Sequence, residues 1–195
     1  MTLKSLAIKY ACDKYYAHSY IPLYEELFRG RTVKRLLEIG IGYEDLMKPF
    51  VPKYIHGASL RMWADYWPEA EIFACDIRED TLINEGRIHS MVCDQSSLTS
   101  TYAMTKAFDS GHWDVIIDDG SHNTEDQYRT AATLLVEPYL NKGGVYIIED
   151  VREPDELFFR FLPIVRRWQI NPESEPLQVH LFNKRPDDCL IVIQK

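Results

Sequence analysis

No apolar run in these 195 residues approaches the roughly 18 residues that a membrane-spanning helix needs, so no span is expected. The opening Met-Thr-Leu-Lys-Ser-Leu-Ala has neither the long apolar stretch nor the small-residue cleavage site of a secretory leader. Cysteine is sparse and unpaired in sequence: Cys12, Cys75, Cys93 and Cys189 form no Cys-x-x-Cys motif, which argues against structural zinc. Cys75, Cys93 and Cys189 lie in or beside apolar runs and read as reduced core thiols, so a cytoplasmic location is expected. Basic charge is also in deficit, with 22 Lys and Arg against 30 Asp and Glu, for a net charge of −8. The short basic groups, Arg29, Arg31, Lys34 and Arg35, then Arg166 and Arg167, are flanked by acids, and no nucleic-acid partner is expected.

What is present is a globular composition, 46% hydrophobic and 27% charged, in which short β-branched runs alternate with longer amphipathic ones. Strands are expected at 35–39, 71–75, 88–92, 113–118, 144–148, 177–182 and 189–194. Helical segments are expected near 58–66, 81–84, 97–108, 124–140 and 155–168. Strands alternating with helices imply right-handed βαβ units, hence a doubly wound, Rossmann-like α/β fold with helices on both faces. The connection 183–188 is too short for a crossover helix. It predicts a hairpin and an antiparallel final strand at the end of a mostly parallel seven-stranded sheet. The expected layout is one unit, with residues 1–32 a helical cap and 33–195 the α/β core.

In such sheets ligands bind beyond the carboxyl ends of the strands, where the strand order reverses. The first strand ends Leu36-Leu37-Glu38-Ile39-Gly40-Ile41-Gly42, and its glycines allow either a ligand approach or a simple turn. The third position of a full Gly-x-Gly-x-x-Gly is Asp45, which disfavours a pyrophosphate cradle and a nicotinamide dehydrogenase. Asp76, before Ile77, is suited to ribose hydroxyls or to a turn; Asp94 and its neighbours Gln95 and Ser96 are suited to an adenine edge, or a serine there to a helix cap. The fourth and fifth strands deliver Asp118-Asp119-Gly120-Ser121-His122 and Glu149-Asp150. Ser121 beside His122 suggests a hydrolase, but adjacent residues cannot form the nucleophile–base pair and no Gly-x-Ser-x-Gly elbow exists.

Leu-Glu-Ile-Gly-Ile-Gly, Asp76, Asp94 and the acidic fourth strand together resemble the class I S-adenosylmethionine-dependent methyltransferases. His56-Gly57-Ala58-Ser59-Leu60-Arg61-Met62-Trp63, Asp94-Gln95-Ser96, Ile117 to His122 and Gly143 to Asp150 narrow the resemblance to the metal-dependent sugar O-methyltransferases. These act on deoxysugars such as rhamnose, and cephalosporin-hydroxylase-like proteins are more distant relatives. Cys12-Asp13-Lys14, His18-Ser19-Tyr20 and Tyr24 are similar to that family's entry motif. The resemblance implies that Glu38, Gly40, Gly42, Asp76, Ile77, Asp94, Gln95 and Ser96 bind S-adenosylmethionine. It further implies Ser59 near the cofactor's methionine, Asp118 near its amino group, and Lys14, His18 and Tyr20 toward the substrate.

Asp119, Glu149 and Asp150 are hard oxygen donors on neighbouring strand ends, suited to Mg²⁺. His122, three residues past Asp119, is the expected base for an acceptor hydroxyl. Turn and capping roles for all of these remain the competing reading. The partners expected are a sugar or glycoside acceptor and, at most, a second copy of the chain as a homodimer. A non-sugar hydroxyl, or a non-catalytic nucleotide-binding domain, is the alternative function. Tyr15, Tyr16, Tyr20, Tyr24, Trp63 and Trp67 are either a sugar-facing rim or core.

Overall fold

The computed structural model describes residues 1–109, 111–136, 138–170, 178–183 and 189–195. The strands are β1 (Arg35–Ile39), β2 (Glu71–Asp76), β3 (Ile88–Val92), β4 (Trp113–Asp118), β5 (Leu140–Ile148), β6 (Gln178–Asn183) and β7 (Cys189–Gln194). They form one sheet in the order β3-β2-β1-β4-β5-β7-β6. The first five pair in parallel, and β7 runs antiparallel to both β5 and β6. The antiparallel last strand is as expected, but it does not lie at the edge of the sheet. It sits between β5 and β6, because Ile191, Val192 and Ile193 are all fully buried and such a run needs neighbours on both sides.

Consecutive strand residues point to opposite faces, and both faces are covered. Leu36, Ile72, Val115 and Val145 pack on one side with helices α1 (Leu3–Lys9), α2 (Asp13–Tyr16), α3 (Ile21–Leu27) and α5 (Ala58–Tyr66). Their neighbours Leu37, Phe73, Ile116 and Tyr146 pack on the other with α6 (Leu98–Ala107), α7 (Thr124–Leu134) and α8 (Pro154–Ile170). Each fully buried Leu or Ile in these layers contributes roughly 1.5–3 kcal/mol. A short helix, α4 (Glu44–Met47), lies between β1 and α5.

Two segments differ from expectation. Helix α7 ends at Leu134, well short of residue 140, because Leu140 already pairs with Trp113 as the start of β5. The segment 81–84 is not helical: one 3-10 turn covers Glu79–Thr81. Ile83 and Asn84 are instead tied to Ser90, which accepts from the Ile83 amide at 2.7 Å and donates its own amide to Asn84 Oδ1 at 2.7 Å. The expected strand residue Leu177 and the hairpin connection at 184–188 lie outside the described residues. Among the described residues no helix is long and apolar enough to cross a membrane. All four cysteines are buried thiols.

Candidate active site

The strand order reverses between β1 and β4, so the crevice at their carboxyl ends is where a ligand is expected. Its floor is backbone. The Gly40 amide donates to the Cys75 carbonyl at 2.8 Å, the Asp119 amide to Ile39 at 2.8 Å and the Glu149 amide to Asp118 at 2.9 Å, which extends the sheet one step past the strands. Gly40 has φ +91°, and a Cβ there would lie 2.0 Å from the Asp119 carbonyl oxygen. Only glycine permits that approach.

On the β1–β3 side, Asp76 fastens the glycine turn: its Oδ2 accepts from the Ile41 amide at 2.8 Å and its Oδ1 from the Arg78 amide at 2.9 Å. Ile77 is exposed beside it. Asp94 accepts from the Ser96 amide and hydroxyl at 2.9 and 2.7 Å. Ser97, not Ser96, caps α6. Gln95 spans the crevice. Its Nε2 donates to both oxygens of Asp118, at 2.6 and 2.7 Å, and its Oε1 accepts from the Ser121 amide at 2.8 Å. Asp118 also accepts from the Tyr146 hydroxyl at 3.0 Å. It is fully buried, and burial pushes its carboxyl up to about 7. The structure thus places Asp118 under the crevice with both oxygens engaged by the protein.

The β4–β5 side is a cluster of acids. Asp119, His122 and Asp150 each offer a ligand atom within 4.8 Å of the others. His122 Nε2 is 3.2 Å from Asp119 Oδ1, and its Nδ1 is 3.8 Å from Asp150 Oδ2. His122 and Asp150 both adopt left-handed backbone, φ 54° and 50°, which non-glycine residues hold only when their surroundings impose it. Helix α7 is capped by Asn123, whose side chain accepts from the Glu125 and Asp126 amides. Asp118 and Asp119 are therefore not needed as caps.

Glu149 stands apart from the trio. One of its oxygens accepts from Lys14 Nζ at 2.9 Å, and the other from the Tyr24 hydroxyl. Burial, then the negative Asp119, hold its carboxyl well above the usual range despite the Lys14 charge. Asp119 goes the other way: burial opposes its charge, but Lys14 and His122 outweigh it and its pKa is lowered. Burial likewise opposes the charge of His122, yet Asp119 and Asp150 raise its pKa above the ordinary value.

The N-terminal helices complete the cluster. Lys14, wholly buried on α2, places its ammonium 2.8 Å from Asp119 Oδ2 and 3.2 Å from Glu38 Oε1. The other oxygen of Glu38 accepts from Trp63 Nε1 at 2.9 Å, and the residue lies beside the Ser59 hydroxyl; burial lifts its carboxyl to about 7. Tyr20 donates to Asp150 Oδ1, and His18 stacks on Tyr20 with ring centroids 4.8 Å apart. The candidate substrate residues thus converge on the acids.

Tyr24, Trp63 and Trp67 are buried with Phe28 in an aromatic cluster; of the expected rim residues, Tyr16 is exposed. Sequence reasoning missed Tyr24 as a partner of Glu149 and Tyr146 as a partner of Asp118. The only available signal was a polar tip on an otherwise apolar run.

No protein-family model matches the chain. It is 36% identical over 154 residues to the 8-demethyl-8-alpha-L-rhamnosyl tetracenomycin-C 2'-O-methyltransferase of Streptomyces olivaceus, covering 77% of this chain and 38% of that protein. To the mycinamicin VI 2''-O-methyltransferase of Micromonospora griseorubida it is 31% identical over 156 residues, 76% of this chain and 36% of the relative. Its fold matches the MycE methyltransferase from the mycinamycin biosynthetic pathway, solved in complex with Mg, SAH and mycinamycin VI. The TM-score is 0.74 at 25% identity over 100% of this chain and 53% of that one. The chain has the class I methyltransferase fold and resembles the sugar O-methyltransferases. It spans less than two fifths of the length of these curated relatives. Within the methyltransferase fold, the glycine turn and Asp76 lie on one side of the crevice and the acids on the other.

Proposed function

We propose that the chain is the catalytic part of an S-adenosylmethionine-dependent, Mg²⁺-assisted O-methyltransferase acting on a sugar hydroxyl, a rhamnose-like deoxysugar on a glycan or glycoside. The observation that carries this reading is the gathering of Asp119, His122 and Asp150 at the carboxyl ends of β4 and β5, across the crevice from the Gly40 turn. Oxygen-rich donors with surplus negative charge suit a hard divalent cation, and Asp119, Glu149 and Asp150 are the residues that would hold it. When bound, Mg²⁺ polarises the acceptor hydroxyl and S-adenosylmethionine supplies the methyl group.

The chain's own residues do the rest. Gly40 and Gly42 let the backbone come close to the nucleoside, with Asp76, Asp94 and Ser96 along its edge. Glu38, Ser59, Ile77, Gln95 and Asp118 shape and brace that pocket. His122 takes the hydroxyl proton as the oxygen–methyl bond forms and the sulfur–methyl bond breaks, leaving S-adenosylhomocysteine, a methyl ether and an imidazolium. His18 and Tyr20, carried on the cap of residues 1–32, line the acceptor's approach to the core of residues 33–195. The acceptor is a sugar or glycoside, not a nucleic acid, and the protein works in the cytoplasm, with a homodimer as the assembly to look for.

His122→Ala tests the assignment. Turnover on a deoxysugar glycoside is expected to fall by about 10²–10⁴-fold. S-adenosylhomocysteine affinity, measured by calorimetry, should stay unchanged. Full activity in that variant removes His122 as the base.

A further inference from the structure

Three carboxylates gather around one buried ammonium, and the arrangement of their oxygens is asymmetric. Lys14 Nζ meets Asp119 Oδ2 at 2.8 Å, Glu149 Oε2 at 2.9 Å and Glu38 Oε1 at 3.2 Å. The second oxygen of each acid goes elsewhere: Glu38 to Trp63, Glu149 to Tyr24 and Asp119 to His122. The side chains of Lys14, Glu38 and Glu149 are sealed, at 0%, 1% and 1% exposure, while those of Asp119 and Asp150 are open to solvent at 19% and 21%. Lys14 therefore stands on the boundary between a sealed half and an open half. By drawing Asp119 Oδ2 inward, it turns Oδ1 toward His122 and Asp150.

We propose that Lys14 is a positioning residue, a built-in cation that holds Glu38, Asp119 and Glu149 together and thereby governs how tightly the acid cluster takes a divalent ion. The proposal rests on the metal-assisted reading above. An ammonium in hydrogen-bond contact with two of the would-be ligands satisfies part of their charge in advance. A divalent ion must then either share those carboxylates or displace the ammonium, and in both cases the fixed charge weakens its binding. Without the divalent ion, the same charge keeps the carboxylates from standing unpaired in the interior.

The test uses Mn²⁺ as the probe. Its affinity is read by electron paramagnetic resonance, and thermal unfolding is followed in EDTA and in Mn²⁺, for the wild type, K14M and K14R. Methionine keeps the volume and removes the charge; arginine keeps the charge. K14M is expected to melt several degrees below wild type in EDTA, to gain more from Mn²⁺ than wild type does, and to bind Mn²⁺ roughly tenfold more tightly. K14R should bind Mn²⁺ as the wild type does.

A K14M that folds only when Mn²⁺ is present also supports the proposal, since the ion then replaces the ammonium. A K14M that fails to fold in both conditions overturns it, as does a K14R that binds as tightly as K14M. Wild type that binds Mn²⁺ with an affinity unchanged in K14M overturns the role of Lys14 alone. Wild type that binds no Mn²⁺ overturns the metal-assisted reading and this proposal with it.

Discussion

The two sides of the crevice are built by different means. Toward β1–β3, the site is backbone: amides of Gly40, Ile41 and Arg78 are fixed by a carbonyl or by Asp76, and the holding residues sit near each other in the chain. Toward β4–β5, the site is side chains held by other side chains, with Lys14 and Glu149 separated by 135 positions and Tyr20 and Asp150 by 130. The first kind of construction tolerates exposure because water can complete any unmet bond. The second needs burial and complete pairing, since an unpartnered carboxylate in the interior is costly. Each side therefore has its own way to fail.

The largest expected effect is at a point where the backbones of the two sides touch. Gly40→Ala puts a Cβ into the Asp119 backbone at a positive φ, so β1 and β4 must part. A loss of at least ~3 kcal/mol in urea-measured stability is expected, since the clash adds to the backbone strain. A loss below ~1 kcal/mol would mean that the two turns are not locked together.

Next comes the side-chain half. Tyr24→Phe keeps the ring packed on Phe28 and Trp63 but leaves Glu149 Oε1 without its donor. About 1–3 kcal/mol of stability should be lost, as for other orphaned buried acceptors, with S-adenosylhomocysteine affinity unaffected. Chemical denaturation with calorimetry on the same sample reads both. The smallest effect sharpens the contrast from the other side. Asp76→Ala frees the Ile41 and Arg78 amides, and is expected to weaken S-adenosylhomocysteine binding by roughly tenfold, about 1.4 kcal/mol. Mn²⁺ affinity should hold. A matching loss of both affinities would merge the two halves into one unit.

This division also explains what could be read from sequence. The strand ends that carry Gly40, Asp76, Asp94, Asp119 and Glu149 were legible because apolar runs stop there and a polar residue follows. The parallel run of the first five strands followed from the alternation with helices; the place of β7 did not. Nothing local marks Leu140 as a strand start, because it is Trp113 across the sheet that recruits it. Lys14 was visible as part of a motif, but two of its three partners lie more than a hundred residues away, and no periodicity announces an ammonium between three strand ends. Asp118 and Asp119 are adjacent and identical in type. Only alternation along β4 sends the first beneath the crevice and the second into it.

The position of β7 bears on how the molecule is made. Strand β5 carries Glu149 and Asp150 at its tip, yet one of its edges is covered by residues 189–194, and the Val151 amide donates to the Cys189 carbonyl at 3.1 Å. As the chain leaves the ribosome, that edge stands bare until some forty further residues have emerged, at roughly 5–20 residues per second. For those seconds an apolar strand is open to wrong pairing, so synthesis rate and chaperone supply bear on how much protein reaches the native state.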